Sequence, residues 1–505
     1  MKKEFLVIVA GFLLLSFALV QCNSGDKEPG KDTVEENAVL SIKPVPLPTN
    51  IVPGFNFPED SSVILGWTTD KKFANQYDSA SIYKHAWGIW AGLTASSGQK
   101  YAGDELLVYE TWLGLNEIRQ KVIDNDLQGG CAGKSFTRNG RAPFSRPKQF
   151  EHAAHFAAKR AMLGAMPTPA FEIPANFWVT VSYSPDASCF VTEQQVFKQS
   201  VINKSYKPGG FGAITPFPNT SLTIKPTYMV FDDTAVLFKL PVWLTAPEPA
   251  DSNFFGAANN FVYVDPANKQ PAGKKVVPVD STQKDAAKIA AATVNLSDFI
   301  SLKIDAAMAS EMNRQDSVQG MNNNGGYGKA KKGQIALLVA MHVTTKEISN
   351  WTWQSYYWTP NRDQPGAPSS ALAASLRPSQ ITGAAANYAC VAAYVMLTPG
   401  NGANNDPASG PMFGYNPYLE GGFGPSTFPF ANRYNKSFQY GSQSNCMSCH
   451  ALAIPDSTGL YTTDQHISLA DEYFRNQVSL DFAWSIQTAL ISDTTPYWPR
   501  KKQAQ

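Results

Sequence analysis

The chain has 505 residues, 43% of them hydrophobic and 16% charged, a globular composition that excludes an intrinsically disordered chain. Its 42 basic and 41 acidic residues leave a formal charge of +1, with no block of like charge in the body. Nucleic acid therefore finds no electrostatic footprint, and none is expected as a partner.

Lys2 and Lys3 precede an apolar run over 5–20 that only Gly11 and Ser16 interrupt. The run is too short to span a bilayer and suits a signal-peptide core. It ends in Leu19-Val20-Gln21-Cys22, the form of a lipobox, although Gln21 stands where a small residue is usual. Residues 1–22 are thus expected to be a lipoprotein signal peptide with Cys22 acylated. Residues 23–50 read as a flexible tether, polar at first and then stiffened by Pro44, Pro46 and Pro48.

In the body, taken as residues 51–435, apolar spacing predicts helices over 78–93, 147–163, 284–293 and 298–313. The helix over 147–163 is the clearest, with Phe150, Ala153, Ala154, Ala157 and Ala158 on one face. Strands are expected over 177–183, 228–231, 235–244, 261–264, 334–345 and 388–397. Asp232-Asp233 reads as a hairpin-like break between the second and third. Pro241 makes the third an edge strand or ends it at Leu240. The 36 glycines and 35 prolines punctuate the rest, and 399–435 reads as a long loop. No repeat period shows. The expected fold class is α+β: a β-rich body with long ordered loops and a C-terminal segment, 436–505, packed on it.

That segment holds Cys446-Met447-Ser448-Cys449-His450, the C-x-x-C-H pattern of c-type haem attachment. Two thiols two residues apart reach the two vinyl groups of one porphyrin, and the next histidine falls beneath the ring as proximal iron ligand. One covalent haem c is expected, on Cys446, Cys449 and His450. A zinc site would want further Cys or His at short spacing, and none is near in sequence. A thioredoxin-like pair would want a βαβ setting. A structural disulfide is the third competitor, and export favours haem over all of them.

The sixth ligand stays open. The 55 residues after His450 contain no methionine. His466 remains, as do Met341, His342, Met396, Met412, His85, His152 and His155 from upstream. His342 is the distal candidate, because it sits near the end of an apolar strand followed by Trp351, Trp353, Tyr356, Tyr357 and Trp358. Its competing role is a core histidine. Of six cysteines, Cys131, Cys189 and Cys390 are left over. In an oxidising compartment they imply one disulfide of unspecified pairing, or else buried thiols.

Four stretches carry a resemblance: residues 341–348 with Trp351-Thr352-Trp353, Asn416-Pro417-Tyr418-Leu419-Glu420, residues 444–450, and residues 481–486. In them the chain resembles exported bacterial c-type cytochrome-like proteins with one C-terminal C-x-x-C-H motif. The resemblance covers roughly the last third of the chain. It implies a cytochrome-like protein and assigns no reaction.

The expected function is electron transfer in the cell envelope, with a lipid anchor, an unidentified redox partner protein, and a face toward the periplasm or cell surface. The alternative is a haem-dependent peroxidase- or oxygenase-like oxidoreductase with an open distal site, suggested by a body larger than a carrier needs. A binding lipoprotein with a sensory haem is the third possibility. No P-loop, H-E-x-x-H, G-x-S-x-G or dinucleotide fingerprint offers a rival chemistry.

Overall fold

Residues Ile335–Thr345 are apolar or β-branched almost throughout, and only His342 among them is not fully buried. Such a strand must be covered on both faces and so belongs in the middle of a sheet. A computed structural model places it there. The structure describes residues 41–68, 78–125, 131, 136–147, 176–244, 260–271, 273–318, 329–396, 412–424, 428, 440–456 and 466–497.

The central sheet has eight strands: β1 (Leu113–Gly114), β2 (Phe177–Val179), β3 (Ser182–Tyr183), β4 (Leu222–Phe231), β5 (Ser301–Lys303), β6 (Ile335–Thr345), β7 (Thr352–Trp358) and β8 (Tyr388–Ala392). The main path runs β8-β7-β6-β4-β3-β1, with β5 added on β6 and β2 on β4. All these pairings are antiparallel. Side chains alternate between faces along a strand, so Trp353 and Tyr356 of β7 point to opposite sides. On the Tyr356 side packs helix α1 (Ser79–Leu93), whose Trp90 stacks on Tyr356 with ring centroids 4.4 Å apart. On the Trp353 side packs helix α2 (Cys446–Ala451), through Met447 and Ala451. The two helices therefore cover opposite faces of one sheet. The fold is mixed α+β, as the sequence predicts.

Several elements differ from expectation. β4 is flanked by β6 on one edge and by β2 and β3 on the other, so no edge is left for a hairpin partner after Asp232-Asp233. Phe238–Val242 instead pairs with Asn260–Asp265 in a separate three-stranded sheet, where it is the edge strand and runs through Pro241. The helix expected over 298–313 is replaced by β5 and a helix at Ala306–Val318. Asp305 accepts from the Met308 amide and so fixes the later start. The expected tether is docked before residue 50. Ser41–Ile42 pairs with Arg138–Asn139, and the Trp112 indole donates to the Val45 carbonyl. Residues 40 to 505 form one unit, so the body and the C-terminal segment belong together.

The leader with Cys22, and His152 and His155 on the expected 147–163 helix, lie outside the described residues. Among the described residues no helix is long and apolar enough to cross a membrane.

Candidate functional site

The Cys446-Met447-Ser448-Cys449-His450 motif lies on a capped helix. Asn445, fully buried, accepts from the Ser448 amide at 3.1 Å and so caps α2. Its own amide donates to the Val395 carbonyl at 3.1 Å and the Met412 carbonyl at 2.8 Å. The helix is thereby tied to the chain beyond β8 and to the loop before it. Cys446, Cys449 and His450 line a cavity of about 680 Å³. This falls within the roughly 300–1,000 Å³ of cofactor and ligand pockets. Its apolar wall includes Ile224, Val343, Trp353, Phe423, Phe428 and Phe482.

His450 is held on two sides. Its Nδ1 lies 2.9 Å from the Phe482 carbonyl, and its ring centroid lies 4.3 Å from that of Trp353. A carbonyl only accepts, so Nδ1 carries the proton and Nε2 keeps its lone pair. Burial, the dominant cause, pushes the imidazole down to about 4 despite that hydrogen bond, which keeps it neutral at physiological pH. A neutral ring whose far nitrogen donates to a carbonyl is the state a metal-ligating histidine requires. The Trp484 indole donates to the Cys449 carbonyl at 3.2 Å, tying the 480s loop to the helix.

The same cavity receives His342. In the sheet register His342 of β6 stands between Lys225 of β4 and Ser355 of β7. Its Nε2 lies 3.1 Å from Glu420 Oε1. Burial opposes charge on Glu420, but His342, the Asn416 amide at 2.7 Å and Lys225 together hold its carboxyl below the usual range. Burial pulls the Lys225 ammonium down to about 8 against the opposing pull of Glu420 and Cys449. A carboxylate, a cation and an imidazole thus share one wall.

Among the other described distal candidates, none lines this cavity. His85 bonds Tyr394 at 2.7 Å and Glu347 at 3.1 Å in the core beside α1. The Met396 sulfur accepts from the Ile467 amide at 3.1 Å. Met341 neighbours His342 in β6 and so faces the opposite side.

Lys225 and Glu420 escaped the sequence reading. The signals were present but weak. Lys225 is the lone charge in an apolar strand, and Glu420 closes the Asn416-Pro417-Tyr418-Leu419-Glu420 stretch. That stretch is built around Asn416, whose carbonyl accepts from the Glu420 amide and whose side chain donates to Ser355 Oγ at 2.6 Å. Gly441 lies against it so closely that a Cβ there would sit 1.6 Å from the Glu420 carbonyl oxygen.

The residues fit a covalently held haem. The cavity is of the right order, its walls suit an apolar ring, both cysteines and the neutral histidine reach it, and no disulfide joins Cys446 to Cys449. Burial, then the nearby Glu420 charge, raises the Cys446 thiol well above its ordinary value. That is opposite to the depressed thiol of a redox-active pair. Among the described residues the one cluster with metal-ligand spacing is Cys131, Cys189 and Glu193. Its two cysteines form the disulfide, with Cys390 buried and unpaired, which settles the pairing. No protein-family profile, no curated protein and no solved structure matches the chain, so the site itself carries the functional argument.

Proposed function

We propose that the chain is an exported, lipid-anchored c-type haem protein that works in electron transfer in the cell envelope. The observation that carries this reading is the His450 geometry. Its Nδ1–H is committed to the Phe482 carbonyl, leaving Nε2 as the ring's open coordination position beside two cysteines on one cavity wall. Cys446 and Cys449 would hold the group through thioethers and His450 would ligate its iron. Haem, when bound, supplies one-electron chemistry. The chain's own share is to keep His450 neutral and to exclude water with Trp353, Phe423 and Phe482. His342 is the sixth-ligand candidate, since its bond to Glu420 leaves Nδ1 as its remaining position.

A second reading is favoured by the His342, Glu420 and Lys225 cluster. Desolvated charges are costly, and a carrier ligated by His342 has no use for the Lys225 cation on the cavity wall. An oxidoreductase with an open iron would use His342 to hold or move a proton at its ring nitrogens, with Glu420 fixing the ring.

The test is absorption spectroscopy of protein made in a host with haem-attachment machinery, oxidised and reduced, with and without carbon monoxide. Covalent haem with a six-coordinate spectrum that carbon monoxide leaves unmoved is expected for the carrier. A high-spin spectrum that shifts with carbon monoxide would overturn the carrier in favour of the open-site oxidoreductase. Haem that extracts into acidified organic solvent, or none at all, would overturn both.

A further inference from the structure

The Phe482 carbonyl that receives His450 is not placed by regular secondary structure. It belongs to two consecutive non-glycine residues in the left-handed region, Asp481 at φ 50° and Phe482 at φ 68°. Such residues cost free energy and persist only where the surroundings over-determine them. Here the surroundings are specific. Asp481 Oδ2 accepts from the Phe217 amide at 3.0 Å, and Oδ1 accepts from Lys346 Nζ at 2.5 Å. Lys346 is fixed in turn, its ammonium donating to the Ser349 carbonyl at 2.8 Å and lying 5.4 Å from the Trp351 ring. Its backbone amide donates to Ser221 just before β4. Lys346 directly follows β6, so the pair connects the central sheet to the loop that aims the carbonyl.

We infer that Lys346 and Asp481 are positioning residues for the proximal histidine: the pair holds Asp481 and Phe482 left-handed, and so keeps the Phe482 carbonyl on His450 Nδ1. This rests on the haem reading above. Burial raises the Asp481 carboxyl against the pull of Lys346, and burial lowers the Lys346 ammonium against the pull of Asp481. Desolvation outweighs attraction on both sides, so the pair is better explained by the geometry it imposes than by stability. The acceptor of a ligating histidine's outer proton tunes how strongly the ring donates to its metal. Losing it weakens the donor, disfavours the oxidised metal and raises the reduction potential.

The test uses the full haem-loaded chain and two variants, Lys346→Met and Lys346→Met/Asp481→Asn. Asparagine keeps an acceptor for the Phe217 amide and tolerates the left-handed region. Both variants are expected to keep covalent haem. In both, the one-electron equilibrium should shift about tenfold toward the reduced form, about 59 mV. The downfield proton signal of His450 Nδ1–H should broaden or move in ¹⁵N-histidine spectra. A potential and an Nδ1–H signal unchanged from wild type in the folded double variant would overturn the inference, even if the single variant were less stable. Wild-type chain without covalent haem would defeat the haem reading instead. The Nδ1–H signal needs no haem and would still decide for or against the pair.

Discussion

At the scale of single residues, the energetics of the Lys346–Asp481 pair give an expectation that is separate from its role toward His450. Asp481 titrates above its unfolded value. Its contribution is most favourable below about 3.8 and is lost as pH rises through the raised folded value. Lys346 titrates below its unfolded value. Its contribution is most favourable above about 10.5 and is lost as pH falls through the lowered folded value. Neutral pH lies between, where both charges are present and neither is well solvated. Removing one partner strands the other, so Lys346→Met should cost about 3–5 kcal/mol in urea unfolding at pH 7. Lys346→Met/Asp481→Asn should return to within about 1 kcal/mol of wild type. A double variant no more stable than Lys346→Met would show that the pair is a net stabiliser. The sequence exposed this site unevenly. Cys446, Cys449 and His450 are legible because their chemistry needs a fixed local spacing. His342 is legible in part, as a polar residue in an otherwise buried strand. Glu420 lies 78 residues from His342, and Asp481 lies 135 from Lys346; no local pattern joins partners so distant.

At the scale of elements, what was legible was whatever local chemistry decides. The helix over 78–93 was read from apolar spacing, and α1 begins where Asp78 caps it by accepting from the Ser81 amide at 3.0 Å. Burial works against charge on Asp78, yet bonds from the Ser81 hydroxyl and amide prevail and hold its carboxyl below the usual range. A carboxyl depressed in the folded state contributes stability above its unfolded value. That contribution is lost as pH falls below about 3.8 through the folded value. Asp78→Ala should therefore cost about 1 kcal/mol at pH 7, with the gap from wild type closing as pH falls below that value. Denaturant curves at pH 7 and pH 3 check this, and a gap that does not shrink would mean the cap acts without its charge. The hairpin expected after 228–231 failed for a non-local reason. Asp232-Asp233 does break the strand, but which partner β4 takes was decided by β6, more than a hundred residues further on. Turn chemistry says where a strand stops; only the assembled sheet says what lies beside it.

At the scale of the whole molecule, the cysteines impose a constraint on assembly. On the proposed reading, haem attachment needs Cys446 and Cys449 as thiols in a compartment that promotes disulfides. The other described cysteines are kept from exchange in two ways. Cys131 and Cys189 are joined across a sequence separation of 58, and Cys390 is buried with its thiol raised well above its ordinary value by burial. Closing a loop of that length should stabilise the folded state by about 4 kcal/mol on chain-entropy grounds, so Cys131→Ser/Cys189→Ser should lose stability of that order. Haem loading should respond differently. The double variant leaves neither of these two positions as a thiol, so covalent haem per chain should stay near wild type. Cys189→Ser alone leaves Cys131 free to exchange with the attachment pair, because a thiolate attacks whatever disulfide or oxidised partner it reaches. Haem per chain should fall in the single variant and recover in the double, although the double is no more stable. Equal loading in all three proteins would mean that attachment outpaces disulfide exchange and that the Cys131–Cys189 bond serves stability alone.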